Sequence, residues 1–206
     1  MAKAKLTFDV HPGVAMIQRW TAALPEKTGH SLDEWADLVK AEKLPDRKAR
    51  LVWLKERGVG GNMAGMIADY AFDKLTWDGE PSLYLKQAAV YIETMFQKGK
   101  EWQRPIFEAI AAEVRKLGKD VKICPCKTMV PFYRNREFAH VKPATQTRLE
   151  LGLALPGVPF KGRLRRNPRA NDKDRHHHVV ELRGGAKEVN AELVKWLRMA
   201  YEADGE

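Results

Sequence analysis

The chain has only two cysteines in 206 residues, too few for the disulfide framework of a small secreted domain. It also lacks any hydrophobic run of about 18 residues, the length that a membrane-spanning helix needs. No apolar run near the start has the length of a signal-peptide core. We therefore expect a protein of the cytoplasm that has no membrane partner.

Catalytic signatures are absent as well. The sequence contains no GxSxG, HExxH, P-loop or Rossmann fingerprint. Gly58, Gly60 and Gly61 lie between two predicted helices rather than after a strand, so they indicate a helix end and not a phosphate-binding loop. The sequence predicts no reaction and no cofactor. It leaves enzymatic activity open while favouring a binding protein.

Positive charge is concentrated in the second part of the chain. Residues 1–80 carry 12 Lys and Arg against 12 Asp and Glu. Residues 81–206 carry 24 against 15, which accounts for the whole net charge of +9. An uneven positive charge predicts contact with a polyanion such as nucleic acid. The alternative is that the excess charge only keeps the protein in solution.

Residues 1–76 predict a small helical bundle. Apolar residues recur at helical spacing in four segments, and each of the first three segments holds a Trp. Ser31 and Glu34 have the spacing of a capping box before the second helix, and Pro25 is expected to end the first. A neutral bundle rich in Trp predicts docking of a protein partner.

Residues 77–81 are the predicted linker, because they contain an Asp-Gly pair and a proline. A second domain is predicted over 82–206, with elements in the order ααβββββα. The hydrophobic period changes there from 3.6 to 2. Strands are predicted at about 120–124, 127–133, 136–142, 146–154 and 176–183.

The expected fold class is α+β, with a mostly antiparallel five-stranded sheet that has helices packed on one face. The chain shows no βαβ pattern that would indicate a parallel sheet. Residues 161–175 are strongly basic and have few apolar side chains. We expect that segment to be a mobile loop.

Alternation within the strands predicts which side chains leave the core. Leu149, Leu151 and Leu153 are expected to face the helices, as are Ala139 and Val141. The opposite face would then carry the candidate ligand-binding residues Lys127, Tyr133, Phe138, His140, Lys142 and Arg148, and the loop adds Arg163, Arg165 and Arg166.

Rings interleaved with cations suit single-stranded nucleic acid. Bases stack on aromatic rings for about 1–3 kcal/mol each, and cations contact the phosphates. The sequence therefore predicts a nucleic-acid-binding surface on the sheet and the basic loop. The alternative is that the rings lie beneath the final helix or an edge loop.

The Cys-Pro-Cys pattern of Cys124 and Cys126 is the candidate for metal binding. Residues two apart in a strand share a face, so both sulfurs can reach one ion. A zinc site usually has four ligands, and the chain has no second Cys pair. A complete site would need His140 or a member of the run 176–178. We predict two reduced structural cysteines and no metal site.

Two segments resemble known families. The stretch SLDEWADLVKAEKLPDRKARLVWLKERGVGGNMAGMIADYA resembles the uncharacterised bacterial domain-of-unknown-function family 4287. The segment from about Tyr84 to Tyr201 resembles family 5655, chiefly through RPIFEAI, DVKICPCKTMVPFYRNREFAHVKPATQTRLELGL and VKWLRMAYE.

The second resemblance implies a small α+β domain, distantly similar to that of the frataxin-like bacterial iron chaperones. It implies no established activity and no catalytic residues. A metal or small-ligand protein of that kind is therefore one alternative to nucleic-acid binding. A protein-interaction adaptor is the other.

Overall fold

A computed structural model of the chain describes residues 6–72 and 79–205. The chain divides into two compact units, Val10–Gln87 and Ala88–Glu206 together with Met1–Asp9. The predicted linker at 77–81 lies partly outside the described residues, and that boundary stays a prediction. Within the described ranges, none of the helices combines the length and hydropathy required of a membrane span.

The first unit is helical, as predicted. Its helices are α1 (Pro12–Thr28), α2 (Leu32–Ala41), α3 (Arg47–Glu56) and α4 (Gly61–Tyr70). Their apolar faces meet in one core around Trp35, Leu54 and Ile67. The capping box of α2 is confirmed, since the Ser31 hydroxyl accepts from the Glu34 amide and the Glu34 carboxylate accepts from the Ser31 amide.

The prediction that Pro25 ends the first helix was wrong. Helix α1 continues through Pro25 to Thr28 and ends at Gly29, which has a φ of 78°. A proline in the last turn costs one hydrogen bond, because it has no amide proton. The amide of Gly29 donates to the Pro25 carbonyl at 2.9 Å, and the left-handed glycine stops the helix.

The second unit is an antiparallel sheet with helices, which confirms the α+β fold class. The helices are α5 (Pro81–Met95, which begins in the first unit), α6 (Arg104–Arg115) and α7 (Ala191–Ala203). The strands are β1 (Lys122–Ile123), β2 (Val130–Tyr133), β3 (Glu137–Thr145), β4 (Arg148–Leu153), β5 (Arg165–Arg166) and β6 (His178–Leu182).

The strands are ordered β1-β2-β3-β4-β6-β5, and every neighbouring pair is antiparallel. The sheet has six strands rather than the predicted five. The additional strand β5 lies inside the segment that was expected to be a mobile loop. It pairs with β6 and forms one edge of the sheet.

One face of the sheet, here called the helix face, packs against α6 and α7. The predicted inward side chains of β3 and β4 are confirmed, since Ala139, Val141, Leu149, Leu151 and Leu153 are fully buried. They share a core with apolar residues of both helices, among them Ile106, Ile110, Leu193 and Leu197. The strict alternation of β4 leaves its polar side chains on the other side of the sheet.

Candidate functional site

The opposite side of the sheet, here called the outer face, carries the candidate site. Register places His140 beside Gly152, and Lys142 beside Glu150. Glu150 is in turn aligned with Glu181 on β6. The outer face therefore holds acidic as well as basic side chains. The sequence prediction had included only the basic and aromatic ones.

Phe138 does not lie on the outer face, and that prediction was wrong. The pairing of β2 with β3 shifts next to Phe132, so that Phe138 and Ala139 together oppose Phe132 in a β-bulge. The Phe138 ring turns to the helix face, where its exposed fraction is 0%. It lies edge-on to the Tyr201 ring of α7, with 5.7 Å between centroids. The ring thus lies beneath the final helix.

The same bulge changes the position of Glu137. In a regular strand, residues three apart point to opposite faces. The extra residue at 138 brings Glu137 onto the face of His140. The Glu137 carboxylate oxygen Oε1 then lies 2.8 Å from His140 Nδ1. Spacing alone places these two side chains apart, so sequence reasoning missed Glu137.

Tyr133 lies on the outer face but is partly buried. Burial raises the pKa of its hydroxyl above the ordinary range, and the charge of Glu137 raises it further. Tyr133 is therefore only partly accessible to a base. Lys127, in contrast, is exposed and precedes β2.

The arginines of the outer face are paired with carboxylates. Arg148 lies 3.0 Å from Glu150 and 3.5 Å from Glu181. Arg169 donates from both terminal nitrogens to Glu150, at 3.1 and 2.9 Å. Glu150 thus lies between two guanidinium groups. It is only 8% exposed. Both arginines therefore already form ion pairs within the protein.

Residues 167–177, here called the covering segment, pass over the outer face. This segment supplies Arg169, which pairs with Glu150. The segment closes on itself where the Asn167 amide donates to the His177 carbonyl at 2.7 Å. Farther along, Arg175 donates to the Glu137 carbonyl at 3.3 Å and to the Asp204 carboxylate at 2.8 Å. The prediction of an unpacked loop was therefore wrong for this part of 161–175.

Glu137 and His140 of the outer face form a compact cluster with His176 of the covering segment. The Glu137 oxygen Oε1 that contacts His140 is also 3.5 Å from His176 Nε2. The two imidazole rings lie edge-to-face with 4.8 Å between centroids. One nitrogen from each ring and one carboxylate oxygen all lie within 4.8 Å of one another.

Burial dominates the electrostatics of His176. It lowers the pKa of this imidazole, although the Glu137 carboxylate acts in the opposite direction. His176 Nε2 is buried and has no hydrogen bond, although Glu137 Oε1 lies 3.5 Å away. A ring nitrogen of histidine that has no hydrogen-bond partner can serve as a metal ligand.

Gly152 permits the close packing of His140 on the sheet. A Cβ atom at this position would collide with the His140 ring. Glycine here leaves space on β4 for the ring that β3 supplies. The fixed ring then presents Nδ1 to Glu137 and lies against His176.

The predicted arginines of residues 161–166 have different environments. Arg163 lies 3.4 Å from Glu188 and 3.7 Å from Glu192. Arg165 and Arg166 are exposed on the edge strand β5, and the Arg165 side chain, 67% exposed, approaches Glu181 only at 4.0 Å. Of the predicted arginines, Arg165 and Arg166 on the edge strand are therefore the accessible ones.

An exposed ring accompanies these cations. Phe160 is 47% exposed, and its ring lies 4.5 Å, centroid to centroid, from that of His178. His178 is the β6 residue aligned with Arg166. Sequence reasoning missed Phe160, although it lies directly before the basic stretch.

Cys124 and Cys126 are both reduced, with no disulfide bond between them. Burial raises the pKa of Cys124 to about 12 and that of Cys126 to about 11, so both are protonated near neutral pH. Among the residues that the structure describes, neither cysteine belongs to a group of three possible metal ligands. The two sulfurs and a histidine, the alternative to structural cysteines, do not come together among these residues.

A separate groove in the second unit lies between α5, α6 and residues 6–8. Its volume is about 940 Å³, and apolar side chains such as Phe8, Ile92 and Phe107 line it. None of the residues predicted to bind a ligand lies in this groove.

The fold and the outer face together define an α+β domain with an ion-paired sheet surface. The family model described as Domain of unknown function (DUF5655) matches residues 92–204, so the chain belongs to that family. No curated protein and no solved structure matches the chain. The resemblances to family 4287 and to the iron chaperones, and a bacterial origin, stay predictions.

Proposed function

We propose that this chain is a non-enzymatic protein of the cytoplasm that binds single-stranded nucleic acid along the edge of its sheet. The observation that carries the proposal is the exposure of Arg165 and Arg166 on β5. Alternation points one side chain to each face of that edge strand. A phosphate chain that runs along the edge can therefore meet a cation on either side.

The surroundings of β5 support this contact. Lys161 and Lys173 are exposed on the chain that flanks the strand, whereas Arg169 and Arg175 are paired with buried carboxylates. Cations that lie outside internal ion pairs release counterions when they meet phosphates, and this release favours binding. Arg163 belongs to the paired group and does not contribute here.

Phe160 supplies the aromatic contact in this proposal. The sequence had assigned stacking to Phe138 and Tyr133, but the first is in the core and the second is partly buried. Phe160 is exposed next to the basic edge. Stacking of a base on such a ring contributes about 1–3 kcal/mol.

Fluorescence anisotropy with a labelled oligo-dT of about 20 nucleotides tests the proposal. We expect R165Q/R166Q to weaken binding about tenfold at 50 mM salt. The slope of log K against log salt should fall by about 1.4, since each lost phosphate contact on a single strand contributes about 0.7. F160A should weaken binding at both high and low salt.

The matched control is K40Q/K55Q, which removes two exposed cations from α2 and α3. It should leave both the affinity and the salt slope unchanged. Absence of binding by the unmodified chain at 50 mM salt, or an equal loss in the control, contradicts the proposal. The adaptor alternative stays a prediction. Two of the tryptophans that motivated it, Trp35 and Trp53, lie in the core of the first unit.

A further inference from the structure

The cluster of Glu137, His140 and His176 has the composition of a metal site. Two imidazoles and one carboxylate are the protein ligands of many zinc and non-haem iron centres, which leave further positions open. We infer that these three side chains bind one divalent transition-metal ion, with Zn²⁺ as the ion that suits their ligand chemistry.

The distances are close to those that an ion requires. Zn–N and Zn–O bonds are about 2.0–2.2 Å, so ligand atoms around a tetrahedral ion lie roughly 3.3 Å apart. Glu137 Oε1 is already 2.8 Å from His140 Nδ1 and 3.5 Å from His176 Nε2. One nitrogen of each ring and one carboxylate oxygen also lie within 4.8 Å of one another.

The side chains are also held before any ion binds. His140 is fixed against Gly152, and the three ligand side chains have exposed fractions of only 15–20%. His176 Nε2 is buried without a hydrogen-bond partner. Such an atom costs free energy unless something occupies its lone pair or proton, and a bound cation would satisfy it.

Nearby positive charge does not prevent binding. Arg175 is adjacent to His176, but its guanidinium pairs at 2.8 Å with Asp204, a carboxylate whose side chain is 1% exposed. Glu137 supplies a negative charge directly to the cluster. The local charge is therefore compatible with a dication whose remaining coordination positions are filled by water.

The three ligands come from two separate parts of the chain, so a bound ion would join those parts. Glu137 and His140 belong to β3, whereas His176 belongs to the covering segment. An ion that joins them fastens the covering segment to the outer face. Metal binding should therefore make residues 167–177 less accessible.

Isothermal titration calorimetry of the full, untagged chain with Zn²⁺ tests the site. The unmodified protein should bind one equivalent. H176A should bind at least about 100-fold more weakly, because loss of a direct ligand costs more than the 10–100-fold typical of outer-shell partners. E137Q should show a similar loss.

H177A is the matched control, since it removes the neighbouring imidazole, which lies outside the cluster. It should bind Zn²⁺ normally, as should C126S. Failure of the unmodified chain to bind one equivalent overturns the inference. An equal loss in H177A, or loss of binding in C126S, also overturns it, because the ion would then be held by other groups.

A second measurement separates lost binding from lost folding. Trypsin can cut after Arg169, Lys173 and Arg175 in the covering segment. Zn²⁺ should slow these cuts in the unmodified chain and in H177A, but not in H176A. The thermal melting of metal-free H176A shows whether it is folded. If Zn²⁺ binds but leaves the cutting rate unchanged, the ion does not join the segment to the sheet.

Discussion

The helix face of the sheet presents fully buried apolar side chains, whereas the outer face presents charged and aromatic groups that are partly exposed. Apolar burial is non-directional, and its contribution scales with the area removed from water. The pairing of Arg169 with Glu150 instead depends on distance and angle. A substitution on the helix face is therefore expected to act through the apolar area that it removes. A substitution on the outer face is expected to act through the geometry of an ion pair.

The difference also concerns which parts of the chain supply each face. The helix face is completed by regular helices with an apolar stripe. The outer face is completed by an irregular segment that brings its own arginines and a histidine. A sheet face that carries Glu137, Glu150 and Glu181 can be covered only by a partner that supplies positive charge or hydrogen-bond donors.

The largest expected effect on stability comes from Phe138, which was predicted on the outer face and lies on the helix face. F138A should lower the free energy of unfolding by about 3–5 kcal/mol, because it removes a buried ring and leaves a cavity beside Phe132 and Tyr201. Urea unfolding followed by circular dichroism measures this. F160A, which truncates an exposed ring, should cost less than about 1 kcal/mol. Equal losses would place Phe138 on the surface.

An intermediate effect is expected where the two strands approach on the outer face. G152A should cost about 1–3 kcal/mol, since the new methyl group collides with the His140 ring. In an H140A background the same change should cost at least about 1 kcal/mol less. A double-mutant cycle of unfolding free energies isolates the contact. An identical cost of G152A in both backgrounds would rule out the close packing.

The smallest effect concerns a single carboxylate of the outer face and depends on pH. The hydrogen bond from Arg183, with the nearby charge of Arg148, holds the pKa of Glu181 below its ordinary value of 4.5. A depressed pKa stabilises the fold above the unfolded pKa. That contribution is lost as the pH falls through the folded value.

E181Q should therefore cost up to about 1 kcal/mol at pH 7, the range for solvent-screened pairs, and less at pH 3. Denaturant unfolding at both pH values measures the difference. E26Q, which removes an exposed carboxylate from α1, controls for the loss of one negative charge. If E181Q costs the same at pH 3 as at pH 7, ion pairing does not stabilise this position.

Local patterns were enough to predict much of the fold. The alternation Leu149-Leu151-Leu153 identified the helix face of β4, because period 2 fixes the face of every residue in a regular strand. The spacing of Ser31 and Glu34 located the start of α2, since a capping box needs only neighbouring atoms. The change from helical to strand periodicity identified the α+β class.

The sequence alone therefore determined most of the elements, the fold class and the surplus of positive charge in the second part of the chain. Only the tertiary structure decided which charges remain accessible and which side chains meet. Arg169 lies 19 residues from Glu150, and Arg175 lies 38 residues from Glu137. No local period encodes such contacts. One additional residue in β3 reversed the faces of Phe138 and Glu137, because alternation continues only while the strand pairing is regular.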